Sequence, residues 1–283
     1  GSNGEVLTYI PEFYYKRVQE NGYEYIYISK DYRTGYTKSE AFSVGRYTMS
    51  GSANDVHSRS GVQPLTGPSI TEYRGYANAL GEEFGLLDYH YFILQLLYLV
   101  EYANYNSTLK LGAGYTNASH TGPIASGGCD ILGMHSGSVD GTDNSSVVYR
   151  GIEDIFGNIW QFVDGINVKD YQAYICYDKA QYEVDKFGGC YQKIGYSNNI
   201  YEGWTTKFGY DSSNPLISFP IEVITQLKSF DNKIDYYATK SGNMITLIGG
   251  SYLHAGSGLY FWSINVPSSE HGTHVTSRLL KTN

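Results

Sequence analysis

Residues 151–167 read GIEDIFGNIWQFVDGIN. Within Asn158–Val163 the large rings of Trp160 and Phe162 flank Gln161, an alternation that reads as a strand with one face packed inward. Both rings are therefore expected in a core rather than around a pocket. The stretch does not stand alone: from Val147 onward VVYRG, YQAYICYD, CYQKIGY, ITLIGGSY, LYFWSINV and HVTSRLL are short strand-like runs separated by Gly, Asn and Asp.

Upstream the signals change. Two tyrosine-rich runs within residues 5–30 surround Glu20-Asn21-Gly22, and Asn-Gly between such runs predicts a hairpin. Ser69 stands three residues before Glu72, the spacing of a capping box, and Tyr73, Ala77 and Leu80 follow at helical intervals, predicting a helix that ends near Gly81. Asp88 then caps a second run in which Phe92, Ile93, Leu96, Leu97, Val100 and Ala103 trace one apolar stripe. The helical pair spans residues 69–104, and His90 is expected to be a satisfied first-turn side chain rather than a ligand. Some forty residues after Asn106, rich in Gly, Ser, Thr, Asn and Asp, predict a long packed loop. Two helices, short antiparallel strands and much irregular loop give an α+β fold in a single domain, residues 1–283, with its strand-rich part at 147–283.

A net charge of −8 without a Lys/Arg cluster lacks the footprint that nucleic-acid binding needs. No apolar run is long enough for a bilayer, so membrane insertion is not expected. Gly1-Ser2-Asn3 resembles an appended remnant rather than a signal peptide, and implies that the chain is the C-terminal part of something longer. Thirty tyrosines and thirty-three glycines exceed ordinary usage. Sheet propensity accounts for many of the tyrosines, and the surplus favours a recognition surface.

Cys129, Cys176 and Cys190 share no metal spacing; a 176–190 bridge and buried free thiols are both compatible with their positions. The run Asp140–Ser146 offers oxygen ligands in the manner of a calcium loop, yet no acid closes it at EF-hand distance, and a solvated turn is expected. Asp130, Asp140 and Asp143 supply carboxylates with nothing to set acid apart from base. His271 and His274, as H-G-T-H, lack a third ligand. Neither GxSxG, HExxH nor a P-loop lysine occurs. No catalytic residue, metal or cofactor is expected.

Three segments together carry a resemblance. Gly157-Asn158-Ile159-Trp160 resembles the start of the GNVWEW signature of the formylglycine-generating enzyme superfamily, with Gln161-Phe162 where Glu-Trp is usual. IGGSY near residue 248 and TSRLL near 276 look like that superfamily's closing GGSW and GFR elements. The helical pair and the opening YIPEFYYK are similar to those of phage tail proteins of the same C-type-lectin-like fold. The resemblance implies that fold and, since the chain has no cysteine after Cys190, a receptor-binding branch rather than the copper-dependent oxidase branch. A calcium-dependent lectin is a further alternative, for which Asn214-Pro215 is only a partial echo of the EPN triplet.

The binding branch carries its ligand surface in a C-terminal segment, here residues 249–280, GGSYLHAGSGLYFWSINVPSSEHGTHVTSRLL. By that resemblance Tyr252, Leu253, His254, Ser257, Tyr260, Trp262, Ser263, His271 and His274 are the ligand-binding residues, and Arg278 braces the last strand. Substitution of adenines in Asn codons, the habit of diversity-generating retroelements, reaches most of these types but not Glu270. The implied function is attachment to a bacterial cell-surface receptor, protein or glycan. The implied location is a virion tail tip or extracellular surface. Homotrimeric assembly, through the chain itself or a stalk, goes with that reading.

Overall fold

The strand foreseen around Trp160 runs Trp160–Lys169, and nine of its ten residues are buried. The computed structural model describes residues 4–117, 119–226 and 234–282, so the opening Gly-Ser-Asn lies outside the described residues. Trp160–Lys169 pairs antiparallel with Gln172–Ile175 on one side and Asn243–Ile248 on the other, and Val275–Thr276 lies parallel beside its first residues. The sheet continues through Trp262–Val266, Tyr236–Thr239, Gly203–Phe208 and Pro220–Ile224, and ends at the other side on Gln192–Lys193.

Burial of both faces corrects the expectation of one inward face, and two helices explain it. Trp160 and Phe162 join Tyr73 and Ala77 of helix α1 (Ile70–Asn78), with Leu247, Phe261 and Val275, in one apolar cluster. Val163 points the other way, into a larger cluster around helix α2 (His90–Tyr102) that also holds Trp262 and Phe219. Strand parity should then put Ile166 and Val168 on the α1 side. They are in the α2 cluster instead, because the register with Asn243–Ile248 slips between Val163 and Asn167. Gly165 sits in that bulge at φ 72°, where a Cβ would lie 2.5 Å from the Tyr182 ring. One residue of backbone freedom thus lets a single strand serve both cores.

The local signals gave the elements they specify. Asn21 and Gly22, at φ 53° and 80°, form the two-residue turn between Phe13–Glu20 and Tyr23–Ser29. Ser69 caps α1 with the reciprocal Glu72 contact of a capping box. At α2 the cap position falls on Tyr89, one residue beyond the expected Asp88; the Asp88 carboxylate still accepts the His90 N–H at 2.9 Å and faces the His90 ring at 2.6 Å. A third helix, α3 (Thr108–Leu111), lies where the composition predicts loop. A second sheet pairs Leu7–Ile10, Phe42–Gly45, Leu279–Thr282 and Phe84–Leu86, tying the two ends of the described chain together. The architecture is mostly sheet with few helices, an α+β arrangement.

Of the two arrangements open to Cys176 and Cys190, the structure has the disulfide, with Cα atoms 5.0 Å apart; Cys129 is free and buried. Arg278 is fully buried and braces the end of the chain. Its guanidinium donates to the carbonyls of Gly45, Arg46, Glu153 and Asp154 and to the Gln161 side chain at 2.7–3.0 Å.

Candidate functional site

Residues 249–280 leave the core, return to it, leave again and return. The first departure begins at Gly249 and Gly250, both at positive φ (85° and 73°). A Cβ at Gly249 would lie 3.0 Å from the Phe156 backbone, and one at Gly250 would lie 2.0 Å from Ser257 Oγ, so only glycine fits either place. The Tyr252 N–H donates to Asn158 O, which fastens the loop to the Gly157-Asn158 turn. Ser251 Oγ meets His254 Nδ1 at 2.8 Å, and the Ser257 hydroxyl donates to His254 O at 2.7 Å, closing residues 251–257 into a compact turn. Leu253, 44% exposed, is at its tip.

The segment then enters the core. The Leu259 carbonyl accepts from Tyr91 Oη and Gln95 Nε2, and Tyr260 donates through its hydroxyl to Gln95 O and through its N–H to Asp235. Trp262 is stacked on Phe92 at 4.8 Å and packed against Phe219 and Tyr91. A second departure covers 267–274. The Gly272 N–H donates to the Glu270 carboxylate and the Ser268 hydroxyl to Asp185, and the His274 carbonyl accepts from Trp160 N.

The expected display of all nine residues is therefore corrected. Tyr260, Trp262, Ser263 and Ser257 are buried to within 2% and Tyr252 to 8%, so these side chains face the interior. Leu253 and His271 are exposed, and His254 and His274 are half-buried. The two loops meet: burial, and after it the charge of the neighbouring His274, hold the His254 imidazole below its ordinary 6.5. His254 also stands edge-on to Trp160 at 5.4 Å, and Trp160 to Phe261 at 4.6 Å. From Phe261 a row of rings continues through Tyr236 at 5.8 Å to Trp204 at a further 5.5 Å. A Cβ at Gly256 would touch the Trp204 ring at 2.9 Å, which places the first loop directly on it.

Trp204, Tyr236 and their sheet partner Ile224, 42% exposed, lie outside the C-terminal segment and were not foreseen as part of this surface. The only sequence signal for them is a tryptophan in a short β-prone run. The strand order that sets Tyr236–Thr239 beside Trp262–Val266 is non-local.

Among the described residues no group of three His, Cys, Asp or Glu side chains is placed to hold a metal ion. The Asp140 carboxylate accepts from Thr142 and Ser145 in a local turn, the solvated-turn reading of that run. No family model and no curated protein matches the chain. Among solved structures, one described as Major Tropism Determinant U1 Variant is similar at 11% identity and a TM-score of 0.26, over 96% of this chain and 72% of that one.

Proposed function

We propose that the chain is a non-enzymatic receptor-binding domain of a phage tail fibre or related adhesin, with the C-type-lectin-like architecture that its motifs resemble. The loops 252–256 and 267–274 form the contact surface. The observation that carries this reading is the division of one segment into buried anchors and outward loops. Tyr260, Trp262 and Arg278 are fixed in the core, while Leu253 and His271 are exposed, His254 and His274 are half-buried, and His254 meets the first of a row of rings that runs through the core to the half-buried Tyr236 and Trp204. A rigid frame carrying exposed side chains near aromatic anchors lowers the ordering cost of binding and supplies the contacts that dominate interfaces.

Two observations weigh against the oxidase and calcium-lectin alternatives. Cys176 and Cys190 are bonded to each other, and the remaining Cys129 thiol is buried, which pushes its pKa up and disfavours the thiolate a copper ion would take. Of the calcium lectins' EPN-type triplet only Asn214-Pro215 is represented, and the Asn214 amide is bound to the Tyr177 hydroxyl. The partner on this reading is a bacterial cell-surface receptor, the location a virion tail tip or extracellular surface, and the assembly a homotrimer formed by the chain or a stalk. No helix among the described residues is long and apolar enough to cross a membrane.

The test is saturable binding of the fluorescently labelled protein to a panel of bacterial cells. Binding that unlabelled protein displaces and that Leu253→Arg abolishes supports the reading. Absence of saturable binding across the panel opposes it. Light scattering on the same preparation reads the assembly state, and a trimer is expected.

A further inference from the structure

A second surface, lined by none of the residues of these loops, has the chemistry of a ligand cleft. Two adjoining hollows of 540 and 440 Å³ share Tyr89 and Tyr177 as their common wall. The two rings stand edge to face, 4.8 Å apart at 73°, and Tyr177 is 42% exposed. On one side of this wall the floor is built from Asp88 and His90. The Asp88 carboxylate, 2% exposed, accepts from the Tyr182 hydroxyl at 2.8 Å while its other oxygen holds His90. On the other side the Asn214 amide donates to the Tyr177 hydroxyl at 2.5 Å, leaving the phenol proton to be donated outward. Gln192 and Lys193, exposed on the edge strand of the large sheet, line the rim.

We propose that this cleft binds a neutral oligosaccharide. Three features argue for that class. The exposed Tyr177 ring, braced by Tyr89, which is itself stacked on His90, offers an apolar platform of the kind that the C–H face of a pyranose covers, while planar amides, carboxylates and lysines around it match the sugar hydroxyls. The lining carries four carboxylates (Glu40, Asp88, Asp178, Asp211) against three ammonium groups (Lys38, Lys179, Lys193), a near balance that gives a phosphorylated or sulfated ligand no net attraction. Finally, the Cys176–Cys190 bridge begins at the residue before Tyr177, and Lys179 is tied to Glu82 O and Thr282, so the loop bearing the platform is fixed before any ligand arrives. None of the residues of loops 252–256 and 267–274 lines this cleft, so ligand binding here and binding at those loops are tested separately.

The experiment is calorimetric titration of the full chain with maltohexaose, cellohexaose, laminarihexaose, chitotetraose and a mannotetraose, each up to millimolar concentration. Sialyllactose and mannose 6-phosphate serve as acidic controls. At least one neutral member binds on this proposal. Tyr177→Ala weakens that binding by about tenfold or more, and Tyr177→Phe, which keeps the ring, holds it within about threefold. Lys193→Met, on an exposed rim residue, guards against a folding artefact and weakens binding by about threefold. Ile131→Ala, at an exposed side chain that lines neither hollow, leaves it unchanged. The proposal is overturned if no neutral member binds, if only the acidic controls do, or if Tyr177→Ala and Lys193→Met both bind as the parent does.

Discussion

Arg278 is charged, wholly buried and still cationic at neutral pH, its pKa lowered by burial only to about 10. It persists there because each guanidinium edge meets a carbonyl or amide oxygen from a different part of the chain. Arg278→Met leaves those oxygens without a donor, and a loss of about 3–5 kcal/mol in urea unfolding is expected. Trp262→Ala should cost a similar amount, roughly 3–5 kcal/mol, since it empties the junction of Phe92, Phe219 and Tyr91. His254 behaves differently. Burial first and His274 second lower its pKa from 6.5, so the unfolded chain takes up its proton more readily than the folded one. The contribution of His254 to stability is present above pH 6.5 and is lost as the pH falls below that value. Asp154 acts in the opposite sense: burial, then the Glu153 charge, raise it from 3.8 to about 7, so its contribution fades as the pH rises through that window. Comparing the melting temperature of His254→Gln with the parent from pH 5 to 7.5 (roughly the His range) isolates the imidazole. The difference between them should change in favour of the variant on the acid side.

Elements were legible where their determinants are local. The Asn21-Gly22 turn and the Ser69–Glu72 capping box depend on neighbours a few residues away, and both form as the spacing requires. The bulge at Gly165 does not follow from its own sequence, because which face each later residue takes depends on a register set by Asn243–Ile248. Gly165→Ala should therefore be costly for an exchange so small. It meets both an unfavourable φ and the Tyr182 ring, and about 2 kcal/mol or more is expected from thermal melts. The burial of Tyr260 and Trp262 was hidden for the same reason: aromatic residues among glycine and serine look alike in a displayed loop and in an anchor, and only α2 and Tyr236–Thr239 packed beside them decide. The disulfide closes the short span between Cys176 and Cys190. Replacing both cysteines by serine should cost about 3 kcal/mol, seen as a melting temperature that no longer responds to reductant.

At the scale of the whole molecule, the ends of the chain form one small sheet while the large sheet carries a core on each face. The sequence indicated the segment, 249–280, but not how it divides, since the division follows from which residues reach α2. On the proposed reading the contact set is Leu253, His254, His271 and His274, joined by Trp204 and Tyr236 from strands the sequence alone did not place nearby. The decisive measurement is a paired one, melting temperature and binding to bacterial cells, on Leu253→Ala, His254→Ala, His271→Ala and His274→Ala beside Trp262→Ala. The exposed Leu253→Ala and His271→Ala should melt within about 0.5 kcal/mol of the parent, the half-buried His254→Ala and His274→Ala should lose more, and at least one of the four, measured where it stays folded, should lose about thirtyfold or more in binding, roughly the 2 kcal/mol of an interface hot spot. Trp262→Ala should lose stability first. Four loop variants that bind as the parent does would contradict the claim that these loops are the recognition surface.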